Sequence, residues 1–89
     1  MIWDVYLDKR SEDQLALGSP DAILALQHTL RELSAGPRLA HARRYPPPHP
    51  PTLWRAPIEH HGTVYGALEY AEEPHQRIRV TWAAWLPNR

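Results

Sequence analysis

Leu53-Trp54-Arg55-Ala56-Pro57-Ile58-Glu59-His60-His61-Gly62-Thr63-Val64-Tyr65-Gly66-Ala67-Leu68-Glu69-Tyr70 is the stretch on which the fold turns. Trp54, Ala56 and Ile58 alternate with Arg55, Pro57 and Glu59. Period two with large apolar side chains on one side describes a half-buried strand over 53–59. Pro57 has no N–H to give to a ladder, so this strand is irregular or lies at an edge there. His60-His61-Gly62 reads as a turn and 63–70 as the next strand. Glu72-Glu73-Pro74-His75 reads as a second turn, and 77–85 as a last strand with Ile78, Val80 and Trp82 facing in and Arg77, Arg79 and Thr81 facing out. Pro87 bars regular continuation. Short turns make the three strands antiparallel neighbours.

Upstream, residues 37–51 hold six of the ten prolines. Pro46-Pro47-Pro48-His49-Pro50-Pro51 has the composition of a local polyproline II segment, and in so short a chain 45–51 is expected to serve as a stiff connector. Before it, Ser19-Pro20-Asp21 is a helix start: a capping serine, proline at the first helical position and an acid in the first turn. Ile23, Leu26, Leu30 and Leu33 form one stripe, and Gly36-Pro37 stops the helix. Asp8 or Ser11 caps a shorter helix through Leu17, ended by Gly18, so the two make a helical hairpin. Residues 2–7 alternate as a first strand, with Trp3, Val5 and Leu7 sharing a face. The expected class is α+β in the order β-α-α-β-β-β, a helical hairpin packed on a curled antiparallel sheet.

The chain has 89 residues, which predicts one domain over 1–89. Its four tryptophans and four tyrosines supply large buried areas in a small core. It has no cysteine, which excludes disulfides and thiolate metal sites. No basic-then-apolar leader opens it, and no apolar run approaches the roughly 20 residues needed to span a bilayer. A cytoplasmic protein without membrane contact is expected. Ten acidic and ten basic residues cancel, which argues against a strongly basic nucleic-acid coat. The placement is uneven, however: 35–55 carries Arg38, Arg43, Arg44 and Arg55 and no acid.

The element order and length resemble the RelE/ParE superfamily of toxins from type II toxin–antitoxin systems. Leu26, Leu30 and Leu33 followed by Gly36-Pro37 are similar to that family's second helix. Leu53-Trp54-Arg55 with His61-Gly62-Thr63-Val64-Tyr65 is similar to its hairpin, closest to the HigB-like and RelE-like branch. The resemblance implies a toxin that cleaves mRNA on the ribosome without cofactor or metal and so inhibits translation. It also implies an antitoxin partner, with operator DNA bound only through the antitoxin complex. In the ParE branch the target is DNA gyrase instead.

Metal-free RNA cleavage needs a base for the 2′-hydroxyl, cations for the phosphorane and help for the leaving 5′-oxygen. Arginine suits the second role, since its fork matches phosphate oxygens. The candidate catalytic residues are Arg55, Arg79, His61 and Glu59, and Arg43, Arg44, Arg77, Trp85 and Arg89 are candidate RNA contacts. Each has a plain alternative: the arginines as the polar side of a sheet, His60 and His61 as solvated turn residues, Trp85 as core. The sequence also departs from the family. Thr63-Val64-Tyr65-Gly66-Ala67 lacks the hairpin arginine, the C-terminal end offers no positional match, and Lys9 is the only lysine. Three readings stay open: an mRNA endonuclease, a gyrase inhibitor, and a catalytically degenerate toxin acting by antitoxin and operator binding.

Overall fold

Asp8 and Ser19 begin the two helices as capping residues. The Asp8 carboxylate accepts from the Ser11 N–H at 2.9 Å and the Ser19 hydroxyl accepts from the Ala22 N–H at 3.2 Å, each satisfying a helix-end donor. The structure, a computed structural model, describes residues 2–87. Its elements are β1 (Asp4–Leu7), α1 (Lys9–Leu15), α2 (Pro20–Leu33), β2 (Arg43–Arg44), β3 (Leu53–His60), β4 (Thr63–Glu73) and β5 (Arg77–Trp85). Two helices pack on a five-stranded sheet of order β1-β5-β4-β3-β2. No helix among the described residues is long and apolar enough to cross a membrane.

The sheet corrects the expectation of an all-antiparallel meander. β1 runs parallel to β5, with Asp4 opposite Arg77 and Leu7 opposite Val80, so the sheet is mixed. A parallel pair needs a long crossover, and the helical hairpin and the intervening strands provide it. The second addition is β2, where Arg43 and Arg44 pair with Arg55 and Trp54. Its two residues show no alternation to read. Beyond Trp54 and Arg55 no ladder among the described residues covers the outer side of β3, so Pro57 lies on an edge, as its missing N–H requires.

The proline run is the connector between β2 and β3. It folds back as a loop instead of extending: Tyr45 N–H donates to the Leu53 carbonyl, His49 N–H to Pro46, and Leu53 N–H to Pro50.

α2 lies on the sheet through Ala22, Ala25, Leu26, Thr29 and Leu33. Ile23 and Leu30, expected on the buried stripe, flank it half-buried. The small alanines let the helix approach closely, and the Thr29 hydroxyl is satisfied within the helix by the Ala25 carbonyl at 2.9 Å. Against them the sheet presents Ile58, Leu68, Tyr70, Ile78, Val80 and Ala83, all fully buried. α1 ends at Leu15 with Ala16 as its C-cap, before the expected Leu17. It covers β5 just past β1: Asp8 N–H and the buried Ser11 hydroxyl both donate to the Val80 carbonyl.

Two bulges set the registers. Glu59 pairs with Val64 but Ile58 with Gly66, so Tyr65 is an extra residue in β4. Tyr70 pairs with Val80 but Glu69 with Trp82, so Thr81 is an extra residue in β5. A bulge breaks the two-residue alternation and re-aims the side chains beyond it. Trp82, expected to face in with Ile78 and Val80, therefore stands on the open face, and Ala83 takes the buried position.

Candidate functional site

The sheet face turned away from the helices carries the candidate site. Cross-strand neighbours share a face, and register puts Arg43, Arg55, Glu69 and Trp82 in one row across β2, β3, β4 and β5. Tyr45, just past β2, donates its hydroxyl to Glu69 Oε2 at 2.7 Å. The Thr81 hydroxyl lies 3.4 Å from Glu69 Oε1 and 3.3 Å from the Glu69 carbonyl. The Arg55 guanidinium stands over the Trp82 ring, 5.7 Å from its centroid. Arg10 of α1 completes a cleft of about 320 Å³ with Tyr45, Arg55, Glu69, Thr81 and Trp82. α1 covers the end of β5 that β1 leaves unpaired, and so brings Arg10 to this side.

The charges in the cleft are unequal in their availability. No carboxylate among the described residues forms an ion pair with Arg43 or Arg55. The Tyr45 phenol is held above its ordinary pKa, first by burial and then by its hydrogen bond to Glu69 and the Glu69 charge, with Arg55 acting in the opposite sense. Tyr45 is thus a proton donor at neutral pH. Glu69 accepts that proton's hydrogen bond while its second oxygen faces Thr81. The arrangement offers an acceptor and a donor of protons bonded to each other, a guanidinium outside any ion pair among the described residues, and an aromatic ring on which a base can stack.

The remaining arginines of this face are engaged. Arg79 stands opposite Tyr6 on β1, and its Nε lies 3.3 Å from Glu73 Oε2. Arg77 lies 4.7 Å above the Tyr6 ring and 3.9 Å from Asp4 Oδ2. The Tyr6 hydroxyl donates to Glu73, which pushes the phenol pKa up. Arg55, Arg77 and Arg79 do share the open face, but the last two belong to a closed network that clasps β1 to β5.

Other candidates lie elsewhere. Glu59 is four residues, about 13 Å along the strand, from Arg55 and is hydrogen-bonded to Nδ1 of His41. His61 occupies the hairpin tip with a left-handed φ of 51°, its ring 3.9 Å from that of His60. His60 also meets His28, at 4.9 Å, and burial and then these two neighbours lower its pKa. Arg44 points to the helix side of the sheet, 4.7 Å above the Trp54 ring. Trp85 packs on the helix side against Gly18, and its Nε1 is buried without a hydrogen-bond partner among the described residues. Arg89 lies outside the described residues. No group of three or more His, Asp or Glu side chains among the described residues is arranged to hold a metal ion.

The cleft therefore keeps Arg55 of the sequence candidates, with Arg43 paired to it on β2, and adds Tyr45, Glu69, Thr81, Trp82 and Arg10. Glu69 had one signal in the sequence: it lies between the inward-facing Leu68 and Tyr70 and must point outward. Counting back from the hairpin turn without a bulge would have set Arg55 against Leu68, so the pairing with Glu69 was hidden. No family model matches this chain, and no curated protein or solved structure matches it.

Proposed function

We propose that this chain is a RelE/ParE-type toxin that cleaves mRNA on the ribosome, with the Tyr45–Glu69–Arg55 cleft as its reactive centre. The observation that carries this reading is the hydrogen-bonded Tyr45–Glu69 pair set beside the Arg55 guanidinium, which has no ion-pair partner among the described residues, and the half-buried Trp82 ring. The order of helical hairpin and strands supports it as well. Glu69 removes the 2′-hydroxyl proton, and the 2′-oxygen attacks phosphorus. The bond to the 5′-oxygen breaks, leaving a 2′,3′-cyclic phosphate. Tyr45 gives its proton to the departing 5′-oxygen, and the proton taken by Glu69 returns to Tyr45 along their hydrogen bond. Arg55, supported by Arg43, offsets the charge gained by the equatorial oxygens. Trp82 stacks on a neighbouring base. A cognate antitoxin restrains the toxin, and any operator contact is made through that complex, as a chain without net charge has little to offer DNA alone.

Induced expression with mapping of transcript ends tests the reading. Growth arrest with new ends inside codons is expected. Glu69→Gln keeps an acceptor for Tyr45 but removes the base, and should lower cleavage by about 10²–10⁴-fold with folding unchanged. Arg55→Ala should also abolish the cuts. Arrest without transcript cuts, with gyrase-dependent DNA breaks in their place, would overturn the ribonuclease and point to a gyrase inhibitor. Full cleavage by Glu69→Gln would remove the assigned base.

A further inference from the structure

We infer that the open face holds a second nucleotide subsite, an apolar cleft on the other side of Arg55 from Trp82, and that the substrate strand crosses Arg55 with a base seated on each side. The inference rests on the ribonuclease reading and extends it to how the substrate lies.

A cleft of about 310 Å³ adjoins the reactive one, with Pro57, Val64, Ala67 and Leu86 forming its surface and Arg43 and Arg55 its rim. Arg55 borders both clefts. Pro57 and Ala67 pair with each other and Ala67 with Ala84, one row further along the sheet from Arg55, Glu69 and Trp82. Same-face rows are two residues apart, about 7 Å along the strands, so a group at Arg55 can be continuous with groups in both clefts. Val64 is 37 % and Leu86 43 % exposed, apolar surface left open beside two guanidiniums.

The chemistry of the lining selects the occupant. No acid among the described residues lines this cleft, and its third polar member, His41, is bonded to Glu59 through Nδ1. The two guanidiniums at the rim have no carboxylate partner among the described residues. An occupant that is flat and apolar in one part and anionic in the next satisfies both features. A nucleoside with its bridging phosphate is such a group. The lining offers side chains for van der Waals contact and few hydrogen-bonding groups, so this subsite is tolerant of base identity. Any preference then comes from the Trp82 side, where Thr81 and Arg10 stand near the ring.

An NMR titration of the full chain with a 2′-O-methyl dinucleotide, which the reaction cannot cleave, tests the inference. Amide shifts are expected in two groups, one at Thr81 and Trp82 and one at Val64, Ala67 and Leu86, saturating together. Val64→Asp, at an exposed position, places a carboxylate in the apolar cleft and should weaken dinucleotide binding by about tenfold. Leu86→Asp should act alike, and either variant should bind a nucleoside 5′-monophosphate at Trp82 within about twofold of the parent. Shifts confined to Trp82 and its neighbours, or an unchanged affinity in both variants, would overturn the second subsite and leave the ribonuclease reading intact. Shifts in neither group would remove both.

Discussion

Gly66 has no room for a side chain. A Cβ built on it would lie 2.2 Å from the Ala84 carbonyl oxygen and 3.1 Å from Trp85, against backbone that cannot turn aside. Gly66 is also the first residue after the extra Tyr65, where the new register of β4 against β3 begins. Gly66→Ala should therefore destabilise the protein by about 1–3 kcal/mol through overpacking, measured by urea unfolding, and should disturb the register that brings Glu69 to Arg55. Gly18 has a different neighbour. Its Cβ would meet the Trp85 ring at 2.6 Å, a side chain able to shift at the cost of its packing. At this scale Trp85 contributes to the joint between helical hairpin and sheet, and Trp82 lines the cleft of the open face under Arg55.

Among the elements, α1 shows how a short helix serves the site. Seven residues hold little intrinsic helix stability, so the segment depends on its cap and on its docking against β5. The Asp8 carboxyl sits below its ordinary pKa, chiefly through the hydrogen bond from the Ser11 N–H, with smaller help from Arg79 and Arg10. A lowered carboxyl pKa contributes stability that is present above the unfolded value, about 3.9, and is lost as pH falls through the folded value. Asp8→Ala should cost about 1 kcal/mol at pH 7, and the gap between parent and variant should close as the pH falls through the folded value, which a series of denaturation curves taken from neutral pH into acid would record. The same variant should loosen Arg10 from the cleft of the open face, since α1 is what brings it there. The β1 clasp of Tyr6, Glu73, Arg77 and Arg79 is a second element-scale device: it holds the one parallel strand on the sheet and takes two arginines out of the supply available to a ligand.

For the whole molecule, zero formal charge sets how it meets a polyanion. Long-range attraction is weak, and binding depends on a few local contacts. If RNA binds on this face as proposed, Arg43 and Arg55, with Arg10 beside them, neutralise about two or three phosphates, and the affinity for single-stranded RNA should fall with salt at a log–log slope of about −2. A filter-binding series from low to moderate salt measures it, and a slope several times steeper would mean a basic surface other than this face. The sequence alone determined the helical hairpin, the three long strands and the outward direction of Arg55. Those follow from caps, breakers and periodicity, which act over a few residues and are written locally. The parallel placement of β1, the two-residue β2 and the identity of the site were decided only in the tertiary structure. Tyr65 and Thr81 are each one residue too many for their ladders, and the chain accommodates them by changing register. That change, which depends on how strands pack against each other and on the core, moves Glu69 opposite Arg55, turns Trp82 out and buries Ala83. Before it, Arg55 was a lone cation on a strand; after it, the same arginine stands between a tyrosine–glutamate pair and the Trp82 ring.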